Sequence, residues 1–169
     1  MTYTRFAAMI VTSTIIMYGL MYLNTYVSDH IFFSETRMWM ALYMGAMMAV
    51  IMLAFMLGMY KKTRANIAIF ATAALVFAGS VYLVRSQDTI ADTAYMKAMI
   101  PHHSIAILTS ERANIRDARV RELANEIILA QRREIDEMKW LIADIDENGP
   151  ATTQAAAEAR PVPEFEAEL

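Results

Sequence analysis

Seven residues of this chain have the types and the spacing to do chemistry. Met96, Met99, His102 and His103 lie in the run Tyr95-Met96-Lys97-Ala98-Met99-Ile100-Pro101-His102-His103, and Gln131, Glu134 and Met138 lie some thirty residues further on. At about 100° per residue, Met96, Met99, His103 and Ile107 fall within a sector of about 80° on one helix. His102 points away by roughly a quarter turn. On a second helix, Gln131, Glu134, Ile135 and Met138 form a similar stripe. If the two helices run antiparallel about a turn near residue 116, equal steps back from that turn set His103 opposite Ala130 to Glu134. Met96 and Met99 then fall opposite Glu134 and Met138. Thioether sulfur with imidazole nitrogen suits copper, above all Cu(I), and a carboxylate widens the choice to Cu(II) and other divalent ions. The plainer reading is that Met96, Met99 and Met138 fill a core, as most methionines do, and that His103 is a buried histidine bonded to Glu134. Pro101 removes one backbone donor, which frees the carbonyl of Lys97 and favours a kink there.

Two helices must position these residues. The first is predicted from about Asp88 to Ile115. Asn114 to Asp117 form the turn, and Asp117 suits the N-cap of the second helix, which runs to about Asn148. The apolar stripe of that second helix reads Leu123, Ile127, Ala130, Met138, Leu141, Ile142 and Ile145, at helical spacing. Gly149 and Pro150 end it. The Ala-, Glu- and Pro-rich tail from 149 to 169 reads as disordered.

The rest of the chain is of another kind. Of the 169 residues 57% are hydrophobic, above the share usual in a soluble domain, and charge is nearly absent from 6 to 84. Three apolar stretches, about 6–27, 38–60 and 65–84, have the roughly 20 residues a membrane helix needs. The sequence therefore predicts an all-α chain: three transmembrane helices in an anchor over 1–85, followed by a two-helix hairpin domain over 86–148. Tyr22, Tyr26, Trp39, Tyr60 and Tyr82 lie near the ends of the apolar stretches, as an aromatic belt would. The first stretch is too long for a signal-peptide core and lacks a small-residue cleavage site, so it is expected to stay as a membrane helix. Lys61, Lys62 and Arg64 place the second loop in the cytoplasm. That reading puts the N-terminus inside and everything after Val84 outside, as in a multi-pass protein of a bacterial inner membrane with a periplasmic or extracellular C-terminal domain.

Composition excludes other classes. There is no cysteine, so disulfides, thiolate metal sites and cysteine nucleophiles are absent. A net charge of -3 and the lack of a basic stripe leave no case for nucleic acid. No nucleophile or substrate cleft marks an enzyme. Methionine is over-represented at 15 residues. Met40, Met44, Met48, Met52 and Met56 recur every four residues in the second apolar stretch. They read as a packing ridge in preference to a thioether ladder for Cu(I). Ala41, Gly45 and Ala49 make a small face for close helix contact. A two-helix hairpin is marginal alone, so pairing of two hairpins into a four-helix bundle, a homodimer, is expected.

Residues 88 to 143 resemble the bacterial domain-of-unknown-function family 305. The resemblance rests on Met99-Ile100-Pro101-His102-His103 with Ala106-Ile107, then Ala124, Ile127, Ala130, Gln131, Glu134, Ile135, Met138 and Trp140. Thr109 stands where many relatives carry methionine. The resemblance implies a shape similar to ferritin-like helical bundles. It also implies, as in some members, periplasmic copper binding and copper tolerance, with copper-handling proteins as partners beside the lipid bilayer. It implies no enzymatic activity. A membrane-anchored copper protein acting in sequestration, tolerance or relay is the function expected; a hairpin that only mediates assembly of a membrane complex is the alternative.

Overall fold

The computed structural model describes residues 2–169 and is entirely helical over them apart from turns and loops. Six α-helices follow in order: α1 (Tyr3–Leu20), α2 (Glu35–Phe55), α3 (Thr63–Ser86), α4 (Asp92–Arg112), α5 (Ala118–Asn148) and the short α6 (Gln154–Ala159). The chain divides into two compact units. One comprises 1–23 with 35–90, the other 24–34 with 91–169.

In the first unit α2 packs on both α1 and α3. The Ala41, Gly45 and Ala49 face is buried as its small side chains require. Gly45 is the point of closest approach: a Cβ there would lie 2.3 Å from Thr14 Oγ1. The Thr14 hydroxyl donates to the Ile10 carbonyl at 2.8 Å, so a polar group in an apolar bundle stays satisfied within its own helix. The methionine ridge of α2 is half-buried throughout, with Met52 and Met56 packed on the core of this unit.

Two helices, α2 and α3, are long and apolar enough to cross a membrane, where three were expected. The correction concerns α1. It stops at Leu20 instead of running to Val27, and 18 residues rise about 27 Å, short of a bilayer core of about 30 Å. Arg5, Thr12, Ser13 and Thr14 also dilute it. Its end has a local cause. Two tight turns follow Leu20, and Arg37 Nη1 donates to the Met21 carbonyl at 2.6 Å with its guanidinium 4.5 Å from the centre of the Tyr22 ring. A cation on the last carbonyls is a favourable helix stop.

The second unit is built on the α4–α5 hairpin. Asp117 caps α5 by accepting from the Arg119 amide at 2.9 Å. Its core is Met96, Ile100 and Ile107 against Ile128, Ile135, Met138 and Ile142. On α5 the buried positions are 124, 128, 135, 138 and 142, steps of four, seven, three and four that follow a heptad seam with the half-buried Gln131 in the skipped slot. The stripe read from the sequence is displaced at its start: Leu123 is 55% exposed and Ala124 takes its place in the core. α4 runs unbroken through Pro101. The tail, expected to be disordered, carries α6 and folds back on α5, where Arg160 pairs with Asp144 at 2.8 Å.

The hairpin also has a third component that its own sequence does not announce. Residues 24–34, the loop between α1 and α2, pack against it within the same unit. Ser104, fully buried on α4, accepts from the Tyr26 amide at 2.7 Å and lies 2.9 Å from His30 Nδ1. Asp29 forms an ion pair with Lys139 of α5.

Candidate metal centre

The side chains that matter project from the middle of α4 and α5. Met96, Met99 and His103 recur at helical spacing on α4, and Glu134 and Met138 are one turn apart on α5. All five line one cleft of about 850 Å³, whose remaining wall includes tail residues from Pro150 to Val162. Met96 and Met138 are buried in the hairpin core and Met99 packs against it. The cleft is thus apolar at its base and charged around its rim, where Asp92, Glu137, Asp144 and Arg160 lie.

His103 is the pivot. Its Nδ1 lies 3.1 Å from Glu134 Oε2, within ion-pair distance, yet the nitrogen is buried and off the direction of a hydrogen bond. Burial pushes the His103 pKa below its ordinary value; the Glu134 charge opposes this and His102 adds to it. The imidazole is therefore neutral at pH 7, with a lone pair available.

The other two predicted residues stand apart. His102 is exposed on the outside of α4, its ring 6.1 Å from that of His103; adjacent residues of one helix cannot face the same way. Gln131 is half-buried, in the seam slot between Ile128 and Ile135, and is not among the residues lining the cleft. Reading the sequence missed the tail wall, with Arg160, and the His30–Ser104 pair. His30 had no local pattern to single it out.

The cleft brings together three thioethers, one imidazole and the Glu134 carboxylate. Among the described residues no three His, Cys, Asp or Glu side chains group to hold a metal, so zinc- or calcium-type coordination has no support. An ion here would depend on thioethers, with His103 as the imidazole of the cleft.

Comparison with known proteins agrees with the hairpin's motif. Residues 85–165 match the family described as "Domain of unknown function (DUF305)". Uncharacterized protein L153 of Acanthamoeba polyphaga mimivirus is 42% identical over 64 residues, 37% of this chain and 42% of that protein. The match thus spans less than half the length of the relative. No solved structure matches the chain.

Proposed function

We propose that this is a membrane-anchored metal-binding protein whose hairpin holds copper, as Cu(I), outside the cytoplasm for sequestration, tolerance or relay. The observation that carries this reading is the single cleft shared by Met96, Met99, His103, Glu134 and Met138. These residues would hold the ion; His102 stands outside as an accessory at the surface. Soft donors there would favour Cu(I) over harder ions, and the buried Met96 and Met138 would hold it against the hairpin core. His103 offers its nitrogen without first losing a proton, because burial keeps it neutral. The test is titration of the purified full chain with Cu(I) against a competing chelator. The wild type should take up about one equivalent and the Met99→Ala/His103→Ala variant little; equal uptake by both would remove this cleft as the site.

A parity argument supports the topology. Residues 24–34 and the α4–α5 hairpin belong to one compact unit and so lie on one side of a bilayer. Between them the chain passes through α2 and α3, two crossings joined by Lys61-Lys62-Thr63-Arg64. With that basic loop in the cytoplasm, the first loop and the hairpin are both outside, whatever the status of α1. The start of α1 belongs with the basic loop: Tyr3 donates to Asn66 Oδ1 at 2.8 Å, and the Lys62 amide donates to the Tyr3 hydroxyl at 3.2 Å.

The second reading, a hairpin that mediates assembly, is favoured by Val120 and Leu123, which remain 48% and 55% exposed on α5. A homodimer would cover them. The chain has no native cysteine, so Leu123→Cys introduces its sole thiol, and disulfide-linked dimers in membranes would report that contact.

A further inference from the structure

α1 and α3 flank α2 and leave an apolar groove of about 750 Å³ between them. Its floor is the small-residue face of α2, Gly45, Ala46 and Ala49, and its rims are α1 and α3. The groove begins at Tyr3 and Ala65 and reaches Ile15 and Val76. Twelve residues along α1 correspond to about 18 Å, close to the ~15 Å depth of one leaflet of the bilayer core. Its polar lining is confined to Tyr3, Thr14 and Thr72, and the Thr14 hydroxyl is already engaged by the Ile10 carbonyl. Such a lining is matched by hydrocarbon, not by a polar solute.

One end of this groove is basic. Tyr3 hydrogen-bonds at Lys62 and Asn66, which brings the first turn of α1 beside the Lys61-Lys62-Thr63-Arg64 segment. Arg5, Lys61, Lys62 and Arg64 are all exposed. Among the described residues none of the four takes part in an ion pair. The only acids of this unit are Glu35 and Asp88, which lie at the far ends of α2 and α3. The charge is therefore uncompensated near the end of the groove that Tyr3 and Ala65 line, which with α2 and α3 spanning a bilayer would lie at the level of the phosphates.

We propose that this groove is a binding site for one anionic phospholipid of the cytoplasmic leaflet, with an acyl chain along α2 between α1 and α3 and the phosphate against the basic cluster. The proposal rests on the membrane reading of α2 and α3 and is independent of copper. A zwitterionic lipid fills the same groove but gains nothing from the four cations, so headgroup selectivity is the signature.

Native mass spectrometry of the full chain, released from mixed vesicles holding equal phosphatidylglycerol and phosphatidylcholine, tests it. The wild type should retain one phosphatidylglycerol in preference to phosphatidylcholine. Lys61→Gln/Lys62→Gln/Arg64→Gln should reduce that retention about fivefold per charge removed. Ala7→Phe/Ala68→Phe, which fills the groove from two exposed rim positions, should abolish it; if that variant does not fold, the charge variant, whose groove is intact, decides. Equal retention of the two lipids, or an unchanged preference in the charge variant, would overturn the proposal, as would undiminished retention in a folded groove-filled variant. Resistance of the wild type to alkaline extraction from membranes checks the membrane reading separately.

Discussion

Methionine is used in two regions, and the contrast between them is instructive. Along α2 and just past its end, the ridge Met40, Met44, Met48, Met52 and Met56 is as regular as any ligand ladder, yet Met52 and Met56 pack in an apolar cluster with Phe6, Ala49, Leu53 and Ala73. In the hairpin, Met96, Met99 and Met138 share their cleft with a neutral imidazole and a carboxylate. A thioether is a flexible packing group by default. It becomes a candidate ligand when a second donor of different type is held beside it. The company of the sulfur, not its periodicity, separates packing from chemistry.

That contrast can be broken directly. Replacing Met44 and Met48 together by leucine should leave Cu(I) uptake unchanged, against the near-complete loss foreseen for Met99→Ala/His103→Ala; loss of uptake in the α2 variant would return the ridge to consideration as a metal path. Next in size is a packing effect in the first unit. Gly45→Ala drives a methyl into Thr14 and should destabilise the bundle by about 1–3 kcal/mol, as overpacking does. Adding Thr14→Ala should recover most of this, measured as thermal unfolding in detergent. No loss in the single variant would mean that α1 does not approach α2 so closely. A reporter enzyme active only outside the cytoplasm, fused after Gln87, should be active, and one placed after Arg64 should not; the reverse pattern would invert the topology.

The smallest effect concerns the loop held on the hairpin. Burial, aided by Lys139 and opposed by Asp29 and Asp136, holds the His30 pKa below its ordinary 6.5. With the folded value depressed, the unfolded or released loop takes up the proton first. The associated stability is complete above pH 6.5 and falls as pH drops through and below that value. The Tyr26 amide, which donates to Ser104, should therefore lose hydrogen-exchange protection at acidic pH after correction for the intrinsic rate. Constant protection would uncouple the loop from His30.

Much of this was legible in the sequence because it depends on short-range period. Spacing on α4 placed Met96, Met99 and His103 together and turned His102 outward, and equal counting from the turn brought Glu134 to His103. Asp117 announced itself as a cap. What the sequence concealed has longer range. Tyr26 and Ser104 are 78 residues apart, and no periodicity links them. Which of the neighbours Leu123 and Ala124 of α5 is buried is decided only when α5 packs on α4. The early end of α1 accompanies a contact from Arg37, sixteen residues on, and the ordered tail is tied to α5 by Arg160 with Asp144 and by Arg132 with the Glu168 carbonyl.

The central claim is that sulfur and imidazole of the hairpin cleft hold the ion. X-ray absorption of the full chain loaded with Cu(I) addresses it most directly. A coordination shell containing methionine sulfur together with one nitrogen is predicted, with the nitrogen lost in His103→Ala while sulfur remains. A shell of nitrogen and oxygen alone, or one unchanged in His103→Ala, would contradict it.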